Sequence, residues 1–156
     1  MGSTERTILT RVKSQLATIN GGDSYNYDFS TADAVAIGSL HVGVAPRAPG
    51  IYLYPLNIQS SRNAGRTLLR NYDRELTIQI DVFVPRTAEG ADNAVLAAVD
   101  AVSDVMKVLE NDPEVNGTAR DVELDVSAFD GEQIQLPGYG VGTIQMHIEY
   151  TERRGA

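Results

Sequence analysis

The stretch Arg74-Glu75-Leu76-Thr77-Ile78-Gln79-Ile80-Asp81-Val82-Phe83-Val84 alternates without a break. Leu76, Ile78, Ile80, Val82 and Val84 fall on one side, and Glu75, Thr77, Gln79, Asp81 and Phe83 on the other. A period of two marks an extended strand, because successive side chains point to opposite faces of a pleated backbone. One apolar and one largely polar face describe a strand in a sheet that is covered on one side only. Pro85, which has no N–H to give to a ladder, closes it.

The same period returns twice downstream. Val122, Leu124, Val126 and Ala128 alternate with Asp121, Glu123, Asp125 and Ser127 over residues 120–128. Ile144, Met146, Ile148 and Tyr150 alternate with Thr143, Gln145, His147 and Glu149 over residues 143–151. Upstream, residues 51–55 (Ile-Tyr-Leu-Tyr-Pro) read as a short strand ended by Pro55, and Ala34 to Ile37 hint at a short strand or turn within the irregular stretch 23–49. Two segments have helical period instead. In residues 4–19, Ile8, Val12, Leu16 and Ile19 form one stripe, with Ser3 or Thr4 as cap and Asn20-Gly21-Gly22 as stop. In residues 90–110, Val95, Val99, Val102, Met106 and Leu109 form the core stripe. Asp92, Asp100, Asp104, Lys107 and Glu110 supply the wet side, and Asn111-Asp112-Pro113 ends the helix.

The order is therefore α-β-β-α-β-β. It predicts an α+β fold with a four-stranded, mainly antiparallel sheet and two helices on one face. A polar stretch, 57–73, makes a long arm between the first two strands, longer than a hairpin needs. At 156 residues the chain fits one domain, residues 1–156, with a genuine core.

There is no cysteine, which excludes disulfides and thiol chemistry. No apolar run reaches the ~18 residues of a membrane helix. The N-terminus lacks the basic-then-apolar pattern of a secretory signal. The expectation is a soluble protein of a reducing cytoplasm with no membrane partner. A formal charge of −8 opposes the basic footprint of a nucleic-acid binder. The charges are also segregated. Asp112 to Glu132 holds seven acids and one base, Arg120, whereas Arg62 to Arg74 holds four arginines and one acid, Asp73.

Catalytic and metal signatures fail in turn. His41 and His147 stand apart from any His-Glu-x-x-His or Cys/His spacing. The Asp23 to Asp28 segment lacks the central glycine and closing glutamate of a calcium loop. Gly138-Tyr139-Gly140-Val141-Gly142 precedes a strand rather than opening a helix, so it reads as a flexible turn and not a phosphate cradle. No Gly-x-Ser-x-Gly occurs, and nothing in the sequence desolvates an Asp81–Glu123 carboxylate pair. The expectation is no enzyme, no metal and no cofactor.

The N-terminal helix from Ile8 to Ile19, the strand Ile51 to Tyr54, the long arm leading into Arg74 to Val84, the helix from Ala91 to Glu110 and the closing strand Gly142 to Tyr150 occur in that order. In this the chain resembles the tail-terminator family of long-tailed bacteriophages and related tail-like particles. The resemblance implies a structural virion protein without catalytic residues. It implies a homo-oligomeric ring, usually a hexamer, that caps the tail tube, stops further polymerisation of tube protein and provides the surface that joins the head. The implied partners are other copies of the chain, the tail-tube protein and a neck or head-completion protein, with DNA passing through the channel without specific binding. The implied location is the virion tail near the neck, after assembly in the host bacterial cytoplasm. Tail-tube and neck proteins are relatives in shape and remain the alternative. A rival from another class is a ferredoxin-like small-ligand-binding domain, which needs a pocket of convergent polar groups.

Two residue sets follow as candidate sites. Arg62, Arg66, Arg70 and Arg74 offer bidentate donors from the arm to an acidic surface of a neighbouring subunit or tube protein, with Asp121 to Glu132 as the candidate acceptor. Glu75, Asp81, Asp121, Glu123, Asp125 and Glu149, with Thr77, Gln79 and Gln145, occupy the sheet face that two helices cannot cover, and are expected to line the channel.

Overall fold

A computed structural model describes residues 2–22, 24–38, 47–60, 71–85, 91–128 and 139–153. Seven elements follow along the chain: α1 (Thr4–Leu16), β1 (Val35–Ile37), β2 (Gly50–Ser60), β3 (Asn71–Pro85), α2 (Ala91–Glu110), β4 (Asp121–Ala128) and β5 (Tyr139–Arg153). The class is α+β, with two helices and a five-stranded mixed sheet in the order β1-β2-β3-β5-β4.

Three features differ from the sequence expectation. The sheet has a fifth strand, since Val35, Ala36 and Ile37 pair parallel to Ile51, Tyr52 and Leu53 at the β2 edge. Pro55 does not end β2. The strand passes it through a bulge between Pro55 and Asn57, and Ser60 still pairs with Arg74. A bulge at an edge tolerates a proline because no ladder N–H is demanded there. Residues 57–60 and 71–73 of the expected arm are thus ordinary paired strand, while residues 61–70 lie outside the described residues.

The apolar face of β3 is the centre of the core: Leu76, Ile78, Ile80, Val82 and Val84 are all fully buried. Burial of each such side chain is worth about 1.5–3 kcal/mol. Across the ladder, Leu76 opposes Ile148, Ile78 opposes Met146 and Ile80 opposes Ile144, so β5 continues the same face. Ile8, Val12 and Leu16 of α1 and Ala101, Val102, Val105, Val108 and Leu109 of α2 belong to the same cluster, so both helices cover this one face. Ser3 caps α1, its hydroxyl accepting from the Arg6 N–H at 3.1 Å.

The core side of α2 is rotated from the expected stripe. Val99 is 40% exposed and Val95 and Met106 are half-buried, whereas Ala97, Ala98 and Ala101 are buried. The reason lies on β5. A Cβ on Gly140 would sit 2.5 Å from the Ala94 carbonyl oxygen, and one on Gly142 would overlap the Val102 Cγ2. Alanines on the helix and glycines on the strand let the two backbones approach closely, so the small face of α2 turns inward. The glycine-rich segment read as a flexible turn therefore puts Gly140 and Gly142 inside a strand.

Asp104, expected on the wet side, is 2% exposed. Its carboxylate accepts from the backbone N–H groups of Asn26 (2.8 Å) and Tyr27 (3.0 Å), which satisfies a charge that burial would otherwise make costly. Among the described residues, no helix is long and apolar enough to cross a membrane.

Candidate functional site

The second face of the sheet gathers polar residues from four strands in register. Tyr52 of β2, Asp81 of β3 and Thr143 of β5 form one row. Tyr54, Gln79, Gln145 and Asp125 form the next, followed by Asn57, Thr77, His147 and Glu123. Gln59, Glu75, Glu149 and Asp121 complete the face. The alternation read from the sequence thus brings Glu75, Asp81, Asp121, Glu123, Asp125 and Glu149 onto one surface.

That surface has two regimes. Near β2 it is enclosed. Asp81 is 7% exposed and its Oδ1 accepts from Gln79 Nε2 and Thr143 Oγ1, both at 3.1 Å, while its Oδ2 accepts from the Tyr54 hydroxyl at 3.3 Å. Gln79 also donates to the Tyr54 hydroxyl at 2.6 Å. Burial pushes the Asp81 carboxyl above its ordinary value, and these hydrogen bonds only partly offset it. Burial and the neighbouring Asp81 charge push the Tyr54 phenol up as well. Phe83, at the same end of the face, is fully buried and meets Tyr52 edge-on at 5.6 Å. Asp81 is therefore an internal member of a hydrogen-bonded network rather than an open channel acid. The sequence places it correctly on the face, but the covering aromatic residues of β2 decide its environment.

Near β4 the face is open. Asp121, Glu123, Asp125 and Glu149 are exposed, and Glu75 is half-buried. Glu75 and Asp121 both stand directly opposite Glu149, making a row of three carboxylates across three adjacent strands. Like charges directly opposite one another weaken a sheet. One row away, His147 sits among them: Nδ1 lies 3.1 Å from the Thr77 hydroxyl and 3.4 Å from Glu75, and Nε2 lies 3.4 Å from Asp125. Sequence reading left His147 as an isolated polar residue. Its position opposite both Thr77 and Glu123 follows only from the register of the ladder.

The arginine set divides. Arg74 lies at the far end of this sheet, half-buried, with its guanidinium 3.2 Å from Glu152 and 3.9 Å from Glu5 of α1. It ties α1 to the sheet within the subunit. Arg62, Arg66 and Arg70 lie outside the described residues, as does His41. Among the described residues, no group of His, Asp and Glu side chains is arranged to hold a metal ion. The chain matches no protein-family model and no curated protein.

Proposed function

We propose that this chain is a structural virion subunit, without turnover, that assembles into a ring at the end of a bacteriophage tail tube near the neck. The ring ends tube polymerisation and offers the surface to which the head joins. Its partners are further copies of itself, the tube protein and a neck or head-completion protein.

The observation that carries the reading is the open half of the polar sheet face. Glu75, Glu149 and Asp121 are directly opposed at a cost in sheet stability, next to exposed Glu123 and Asp125. A surface that concentrates negative charge repels phosphate backbones, whereas lysines in the same place would hold DNA by releasing its counterions. That is the property required of a channel that passes DNA without binding it. The one-sided helix layer and the α-β-β-α-β-β arrangement around an extended β2–β3 pair support the same reading.

Light scattering on the purified chain, together with negative-stain images, tests it. The expected result is a ring-shaped particle with a central opening and a mass several times that of the 16.9 kDa chain. A monomer whose melting temperature rises on addition of a small ligand would overturn it in favour of a ligand-binding domain.

A further inference from the structure

Five large apolar side chains are exposed among the described residues, and four of them form two separate patches. The first is the outer half of β2, where Leu56 is 44% and Ile58 48% exposed. β1 pairs only with Ile51 to Leu53, so beyond Leu53 no described strand flanks β2 on that side. The second patch is the outward stripe of α2. Leu96 (60% exposed), Val99 (40%) and Met106 follow helical spacing along it. Val99, Val102 and Met106 form one wall of a groove of about 520 Å³, with Val126 of β4 as the other.

The two patches cannot meet within one chain. β2 and β4 are separated by β3 and β5 in the sheet, which at normal strand spacing sets them roughly 14 Å apart, with the sheet itself between. We infer that Leu56 and Ile58 of one copy dock into the α2–β4 groove of a second copy. Charge favours this occupant. Residues 61–70, which join β2 to β3, contain Arg62, Arg66 and Arg70 and no acid. The groove side carries Glu110 and Glu123, with Asp121 and Asp125 on the same strand as Val126. Self-pairing of the groove would instead bring acid against acid.

A contact between two different patches is heterologous: each copy offers one free β2 patch and one free groove, so association runs head to tail until the ring closes. The inference deepens the ring reading above and rests on it for its biological meaning. It commits, however, to particular surfaces that the ring reading leaves open.

The absence of native cysteine makes the contact directly testable. A variant carrying both Ile58→Cys and Val99→Cys is treated with a short bismaleimide, beside each single variant. The expected result is a ladder of dimer, trimer and higher species from the double variant, and monomer from either single variant. Dimer from Ile58→Cys alone would overturn the inference, because the patch would then be pairing with itself. Monomer from the double variant, while light scattering still finds the native chain as a ring, would overturn the docking and leave the ring reading standing. Monomer in both assays removes both. A second pair of variants gives an independent check. Ile58→Asp and Val99→Asp should each weaken association more than tenfold without altering the melting temperature by more than a few degrees. Mixed in equal parts, they should form dimers and nothing larger, since only one intact patch pair remains. Full rings from either variant alone would contradict the inference.

Discussion

Asp104 and Asn26 are joined by two hydrogen bonds across 78 residues of chain: the Asn26 backbone N–H donates at 2.8 Å and its side-chain amide at 3.0 Å. With the Tyr27 N–H at 3.0 Å, the carboxylate of a helix residue holds the loop after α1 against α2. Lys107, one turn on, donates to the Ser24 carbonyl at 2.8 Å and lies over the Tyr25 ring, so the loop is held at a second point. Replacing Asp104 with alanine strands two backbone N–H groups and is expected to cost about 3 kcal/mol. Asp104→Asn, which keeps one carbonyl oxygen, should cost less. Urea unfolding midpoints of the two variants check the order.

The close approach of α2 to β5 predicts that Gly142→Ala is destabilising by about 1–3 kcal/mol, since the added methyl overlaps Val102 Cγ2. Val102→Ala opens that space. The double variant should then be more stable than the sum of the single effects predicts, and a thermodynamic cycle of the four proteins reads the coupling. Strict additivity would mean that the helix is not seated on these glycines.

Glu5 and Tyr150 give the acid limb of the stability profile. Burial pushes the Glu5 carboxyl up, but hydrogen bonds from the Tyr150 hydroxyl (2.6 Å), from its own backbone and from Ser3, with the Arg74 charge, bring it below 4.5. A lowered folded value means that the stabilisation is present above 4.5 and is lost as pH falls through the folded value. Tyr150→Phe should cost about 1 kcal/mol at neutral pH and flatten this decline. Denaturant midpoints over an acid pH series measure both effects.

Asp81 acts with the opposite sign. Its folded value is raised above 3.8 by burial, so stability falls as pH rises from 3.8 through the folded value and is level beyond it. Asp81→Asn should remove that fall. An unchanged slope would show that the network around Tyr54 and Gln79 does not hold the carboxyl in a dry setting.

The sequence and the structure agree most closely where a single period governs a segment. The β3 pattern predicts which side chains are buried, because a strand with helices on one face leaves no other choice for Leu76 to Val84. Helix α2 was less legible. Its valines outweigh its alanines on any hydrophobic scale, yet the alanines face inward because Gly140 and Gly142 lie 40 or more residues away in the chain. Proline chemistry likewise predicts the end of β2 at Pro55, and a bulge set by the partner strand overrides it. The acidic face was visible as alternation, but not its division. Whether Asp81 is wet depends on Tyr54 and Thr143, which reach it from neighbouring strands.

That division redirects the test of a DNA channel. Lysine at Asp81 would disrupt a buried network, so Asp121, Glu123 and Asp125 are the positions to change. Lysines at these three exposed sites should leave ring formation and head joining intact while impairing DNA delivery, with binding that weakens as salt rises. Failure of the rings to form would instead place this part of the face at a contact between subunits.

Opposition of Glu75, Asp121 and Glu149 carries a further consequence for the isolated subunit. Glu149→Gln removes the middle charge of the row and should stabilise the chain by a few tenths of a kcal/mol, roughly the scale of a cross-strand pair. The gain should shrink in high salt, which screens exposed charges. A loss of stability at low salt would mean that another group already neutralises the row.

The most direct measurement of the central claim is the distribution of tail lengths in particles assembled without this chain, taken from electron micrographs. A ring that ends tube growth predicts tubes that overgrow or fail to accept heads, with normal tails restored when the chain is supplied. Tails of normal length joined to heads in its absence would contradict the account.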